Sequence, residues 1–271
     1  MVADQGWLVQ VVFTAVARFR SENAVLYGIN PEFLSTEPWT GRTALLEGFQ
    51  WHFDATETLL RDRVRTLGTG AEAGGARLDD ELKAQMAGLA GFTFSAFEER
   101  LLFLSTVHTD KHASSPEARS LAAAYDTLRP RLIHSLVGAA QIAEAYSLAE
   151  QHRDFGSLVA LCTDPRYGNP ARVRRFLDVY QAEYADALFQ HYLNHGQLRR
   201  LLEPDEKDVP LLTAWLDKTA NRRLGWVNDW KIGRWDKATE GLVGEALAEQ
   251  SLAQKKVSTI ERAVAYWPRW S

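Results

Sequence analysis

Apolar and polar positions recur along this chain with the period of a helix. Near its start Trp7, Leu8, Val11, Val12, Ala15 and Phe19 fall on one stripe, which predicts an amphipathic opening helix. Asn30-Pro31 closes that neighbourhood in a loop. Leu45, Phe49, Phe53 and Leu60, roughly a turn apart, predict a second helix from about Arg42 to Leu67. Gly68 to Gly75 is the clearest breaker, so a flexible linker is expected over residues 68–76. Beyond it, Asp79 or Asp80 is expected to cap a helix through Leu89, and a separate helix carries Phe92, Phe97, Leu101 and Leu104. Ser115-Pro116 joins a side-chain cap to a proline at the first helical position and opens a helix with Leu121, Tyr125 and Leu128. Pro130 is expected to restart the chain into a helix over Leu132–Gln151. That segment is apolar over much of its circumference, so neighbours must cover more than one side of it.

From Ala139 to Glu203 the pattern goes through two rounds of one unit. Tyr146 and Ala149 precede a polar break at His152–Asp154, and Phe155, Leu158 and Leu161 follow it. Tyr184 and Ala187 precede a break at His195–Gly196, and Leu198, Leu201 and Leu202 follow. Asp208-Val-Pro210 opens a further helix with Leu211, Leu212 and Trp215, and Trp226 and Trp230 precede a break near Gly233. Leu158, Leu198 and Ala238 stand 40 positions apart, a period suited to stacked helix pairs. A unit that cannot bury its own apolar face needs a stacked neighbour. The expected fold is all-α: an irregular α-solenoid of stacked antiparallel helix pairs over residues 1–271, an elongated rod with a sub-block boundary near 204–209.

Composition narrows this reading. Only 18 Gly and 9 Pro in 271 residues, with no series of alternating Val/Ile/Thr strands, argue against a turn-rich β fold. The net charge of −4 and a pI near 6.0, with Lys and Arg scattered, lack the basic face of a nucleic-acid binder. Cys162, the single cysteine, can form no internal disulfide and reads as a small buried hydrophobe in a reducing compartment. The apolar run Trp7–Phe19 is too short for a membrane span and is interrupted by Gln10 and Arg18. A nuclear or cytoplasmic protein, or a piece of a longer one, is expected. Six of the nine tryptophans (215, 226, 230, 235, 267 and 270) crowd the last quarter, most of them as packing groups and one or two as interface groups.

Reactive chemistry is not legible. His191 and His195 share a helix face at the spacing a zinc helix uses, but Tyr192 stands where a metalloprotease places glutamate. His108 and His112 have the same spacing and no third ligand. The Gly68–Gly75 run follows no strand and precedes no Gly-Lys-Ser/Thr, so it is no phosphate loop. Asp79-Asp80-Glu81 and Glu98-Glu99 read as helix caps or solvated faces, and Arg172-Val-Arg-Arg175 as surface solvation. No catalytic, cofactor-binding or metal-binding residue is expected, and no cofactor.

The blocks that remain are packing signatures: Ala149–Phe155, Leu158–Cys162, Tyr184–Gln190, Tyr192–Gly196, Leu198–Leu202, Ala214–Leu216, Trp235–Ala238 and Leu252–Lys256 with Ile260 beyond. In order and approximate spacing, from about Ala139 to Ala265, they resemble the α-helical part of the nucleoporin 133 family, within the larger nucleoporin 133/155 superfamily. The resemblance implies a fragment of a stacked-helix rod, without the family's amino-terminal β-propeller. It implies a scaffold subunit in the stem of the Y-shaped complex of the nuclear pore, at the nuclear envelope, supporting nucleocytoplasmic transport and mRNA export. It also implies other Y-complex nucleoporins as partners, chiefly the 84/107-class nucleoporin near the carboxyl end, with no nucleic acid and no membrane segment. Lys255–Ala265 would lie near the start of that contact, with Val257, Ile260, Ala263 and Val264 as its apolar stripe. The alternative is a helical-repeat adaptor of a vesicle-coat or trafficking complex.

Overall fold

A computed structural model describes residues 2–23, 26, 38–67, 73–107 and 115–248, and every regular element among them is helical. The core of the predicted linker (68–72), His108 and His112, and the stripe Val257, Ile260, Ala263 and Val264 lie outside the described residues. The chain divides into two compact units, Met1–Leu161 and Cys162–Ser271.

The first unit carries α1 (Val2–Asn23), a 3-10 turn (Trp39–Gly41), α2 (Thr43–Leu67), α3 (Ala73–Val107), α4 (Pro116–Gly138), α5 (Ile142–Gln151) and most of α6 (Phe155–Thr163). Its organising element is α3, which packs against α1, α2, α4 and α5. Phe53 of α2, Leu82, Met86, Leu89 and Phe94 of α3, and Leu132 and Leu136 of α4 are fully buried. Two expectations change here. The chain from Asp79 to Leu104 is one helix rather than two, and it begins earlier, at Ala73. Gly88 and Gly91 do not break it; each costs about 1 kcal/mol of helix propensity, and burial of Leu89, Ala90, Thr93 and Phe94 on one face offsets that.

Pro130, expected to restart the chain, sits inside α4. An interior proline removes a backbone bond and costs about 3 kcal/mol. The helix carries through because Tyr125 and Leu128 before it, and Leu132, Ile133 and Leu136 after it, are buried together. The real interruption falls within the segment expected to be helical, Leu132–Gln151. Ala140 adopts φ 62°, and Gln141 N–H donates to Leu136 O at 2.9 Å while Ala140 N–H donates to Val137 O at 3.0 Å. This is the six-to-one, five-to-two Schellman pattern that satisfies the last carbonyls of a helix.

The same turn recurs. The second unit holds α7 (Pro170–Tyr180), α8 (Ala182–Asn194), α9 (Leu198–Leu202), a 3-10 turn (Glu206–Asp208), α10 (Val209–Thr219), α11 (Arg222–Lys231) and α12 (Trp235–Ala248). Arg153 after α5, Gly196 after α8, Ala220 after α10 and Gly233 after α11 have positive φ. Each is followed by a residue whose amide closes the six-to-one bond, as in Asp154 N–H to Ala149 O (2.9 Å) and Arg234 N–H to Asp229 O (2.8 Å). The breaks expected at His152–Asp154, His195–Gly196 and Gly233 are these turns. The 40-residue period is looser, because Leu158 and Ala238 are buried while Leu198 is exposed. Alanine in the left-handed region is disfavoured where glycine is not. Ala140→Gly and Ala220→Gly should each raise stability by about 0.5–1 kcal/mol in urea unfolding, after the greater freedom of glycine in the unfolded chain is subtracted. Gly233→Ala should lower it by a similar amount. Unchanged midpoints would show that the left-handed residue does not limit these turns.

Candidate functional site

Among the described residues, each unit builds a polar cluster into its packing. In the first unit, Glu98 projects from α3 toward α4 and the end of α5. Its Oε1 accepts from Tyr125 Oη at 2.8 Å and from His152 Nδ1 at 2.9 Å. Arg129 lies over the Tyr125 ring, 4.5 Å from its centroid, and donates to the His152 carbonyl oxygen at 3.1 Å. Phe94 closes the cluster from below, with its ring centroid 5.0 Å from that of His152. Partial burial pushes the Glu98 carboxyl upward, but the bonds from His152 and Tyr125 outweigh it and hold the group below the ordinary carboxylate range. Burial, reinforced by the bond to Glu98, pushes the Tyr125 hydroxyl far up. The cluster therefore ties α3, α4 and α5 by charge-assisted bonds. Beside it, buried Asp154 caps α6, its carboxylate accepting from Ser157 N–H (3.1 Å) and Ser157 Oγ (2.7 Å).

In the second unit Arg174 of α7 reaches the 3-10 turn before α10. Its Nη1 donates to Asp208 Oδ2 at 2.5 Å and its Nη2 to Asp208 Oδ1 at 3.1 Å, while Nε and Nη2 donate to Asp178 at 3.0 and 2.6 Å. Lys207 Nζ adds a bond to Asp178 at 3.3 Å. The bond from Arg174, helped by Lys207, holds the Asp178 carboxyl below its usual value. Arg174, read from the sequence as surface solvation, is thus a clamp. Neither cluster left a local signal, because Glu98 and His152 lie 54 positions apart and Arg174 and Asp208 lie 34 apart.

The histidine pair on α8 is not arranged as a chelate. The His191 and His195 rings stack at 4.0 Å, His191 Nε2 is bonded to Thr163 Oγ1 at 3.1 Å, and His195 Nδ1 faces its own helix at the His191 carbonyl. Among the described residues no group of three or more His, Cys, Asp or Glu is placed to hold a metal ion. Cys162 is buried. Among the described residues no helix is long and apolar enough to cross a membrane.

Apolar groups also stand on the surface of both units. α1 packs on α3 through Gly6, Gln10, Phe13 and Arg20, which meet Gln85, Gly88, Phe92 and Glu99 in nearly constant register. Those contacts hold the two helices side by side and parallel, with Glu99 also bonded to Thr40. The stripe that the sequence marks as the apolar face of this helix points the other way: Trp7, Leu8 and Phe19 are 60%, 57% and 56% exposed. In the second unit Trp215 and Trp226 are buried as expected, while Trp230 and Trp235 meet edge to face at 5.0 Å and are exposed.

The family described as non-repetitive/WGA-negative nucleoporin C-terminal matches residues 83–265, about two thirds of the chain. Nucleoporin nup132 of Schizosaccharomyces pombe is 21% identical over 272 residues, 96% of this chain and 23% of the relative. Nuclear pore complex protein Nup133 of Danio rerio is 24% identical over 254 residues, 92% of this chain and 21% of the relative. Nup133 of Mus musculus is 29% identical over 148 residues, 54% of this chain and 12% of the relative. The chain spans less than a quarter of the length of each of these curated relatives. With the family match running from within α3 to beyond α12, the chain belongs to the non-repetitive/WGA-negative nucleoporin C-terminal family, as a segment of the nucleoporin 133 type.

Proposed function

We propose that this chain is a non-enzymatic scaffold segment of the nuclear pore complex at the nuclear envelope. The observation that carries the reading is the family match over residues 83–265, which takes in all of α4 to α12. In the proposed arrangement the helices form an irregular α-solenoid of stacked antiparallel pairs, a rod in the stem of the Y-shaped complex. Its work there is to hold shape and contact other scaffold subunits, and so to support nucleocytoplasmic transport and mRNA export. The recurring Schellman turns favour such a stack, since each reverses or redirects the chain in two or three residues without leaving helix carbonyls unsatisfied. The proposed partner near the carboxyl end is the 84/107-class nucleoporin, met by Val257, Ile260, Ala263 and Val264.

The test is size-exclusion chromatography with light scattering, with the chain alone and mixed with the helical carboxyl-terminal region of that partner. Co-elution as a one-to-one complex supports the assignment. Ile260→Glu should then abolish co-elution and leave the thermal midpoint unchanged. A lowered midpoint in that variant would instead make Ile260 a core residue, because an unpaired buried charge costs about 3–5 kcal/mol. A folded chain that never co-elutes would remove the proposed contact from this segment.

A further inference from the structure

α7 and α8 meet at a single residue. Gln181 is at once the C-cap of α7 and the N-cap of α8, with φ 45° and ψ −116°. The Schellman residues lie within two- or three-residue connections, whereas this joint has no neighbours to share the turn. A side chain held in that region of backbone space is strained. The sequence on either side gives no reason for a break: after Pro170 there is no glycine or proline as far as Asn194, and both flanks are helical. Gln181 offers α8 no side-chain cap. One continuous helix over 170–194 would close about three more backbone bonds across the joint.

The bend is therefore held by tertiary contacts. Phe176 and Tyr184, both fully buried, bring their rings to 5.5 Å. Eight residues along a straight helix are separated by about 12 Å of rise, so this contact exists only in the bent form. Arg174 bonds Asp208, and Lys207 bonds Asp178. Each of these contacts joins a residue before Gln181 to one after it. A second copy of the chain can supply the same contacts from outside.

We propose that Gln181 is the hinge of a segment exchange between two copies of this chain. In the exchanged dimer α7 and α8 of each copy fuse into one helix, and α7 of one copy packs on α8 and the 206–208 turn of the other. Every side-chain contact of the closed form is kept in trans, and the backbone strain at two joints is released. A short connection under strain is the feature that favours such exchange.

The experiment is to unfold the chain in urea, refold it at high protein concentration, dilute it, and read mass by chromatography with light scattering. The wild-type chain should give a dimer that persists on dilution, since separation requires reopening the packed unit. Gln181→Gly, which relieves the strain in the closed form, should lower the dimer-to-monomer ratio roughly tenfold per joint. Gln181→Ala, a better helix former, should raise it. The second arm uses complementation. Arg174→Asp and Asp208→Arg chains refolded separately keep mismatched clamps, whereas refolded together they restore one matched pair at each clamp of an exchanged heterodimer. Selective heterodimer formation supports the exchange. Monomer throughout, or a dimer indifferent to residue 181 and to mixing, overturns it.

Discussion

Arg174→Met is expected to destabilise the second unit by about 3 kcal/mol, read as the shift in urea unfolding. Asp208 is almost fully buried, and its carboxylate takes two bonds from this one guanidinium. Removing the cation leaves a buried anion without its partner, and the penalty of an orphaned charge exceeds the net worth of the pair. A double variant, Arg174→Met with Asp208→Leu, should therefore recover most of the loss, since an apolar pair of similar size often replaces a buried ion pair at little cost. The acid limb supplies an independent check. Asp178 titrates below its ordinary value because Arg174 and then Lys207 bond it. A depressed carboxyl contributes stability above its unfolded value, and that stability is lost as pH falls through the folded one. In Arg174→Met this part of the acid dependence should flatten. A single variant within 0.5 kcal/mol of wild type would mean that the clamp behaves as a screened surface pair.

How far the sequence anticipated this arrangement depended on whether the signal was local. α2 was legible because Leu45, Phe49, Phe53 and Leu60 lie roughly a turn apart; Phe49, Phe53 and Leu60 are buried, while Leu46 rather than Leu45 is the buried leucine at its start. The start of α4 was legible because a cap followed by proline is a local device, and Ser115 Oγ accepts from Ala118 N–H at 3.0 Å. Asn169-Pro170 works the same way for α7, with Asn169 Oδ1 accepting from Ala171 N–H at 2.8 Å. The errors came from tertiary override. Pro130 carries the strongest local stop signal, yet burial on both sides of it keeps the helix whole. Ala139-Ala140 carries the strongest helix former and nevertheless turns, because packing of α4 against α5 decides where the chain reverses. The opening helix was legible, but the facing of its stripe was not: periodicity locates an apolar stripe and does not say what faces it. The two polar clusters were invisible, since Glu98, Tyr125 and His152 come together only after three helices have packed.

That cluster also sets the largest expected loss in the first unit. Phe94→Ala should cost about 3–5 kcal/mol in urea unfolding, the range for truncating a buried phenylalanine. Phe94 has no exposed surface, and its ring stands edge-on to Tyr125 at 6.0 Å and to His152 at 5.0 Å. Truncation removes more than apolar contact. It opens space beside His152 and Tyr125, whose bonds to Glu98 depend on the helices keeping their spacing. Phe94→Leu, which retains most of the volume, separates the two contributions and should cost less than about 1.5 kcal/mol. Glu98→Gln keeps the shape but weakens the charge-assisted bonds, so its own effect should be smaller than that of Phe94→Ala. Combined with Phe94→Ala, it should cost less than the two single effects added, because a cluster already loosened has less to lose; residues sharing one network couple by about 0.5–3 kcal/mol. Strict additivity would mean that Phe94 supports α3 independently of the polar joint. A Phe94→Ala loss below about 1 kcal/mol would mean that α3 is not the element on which α4 and α5 are assembled.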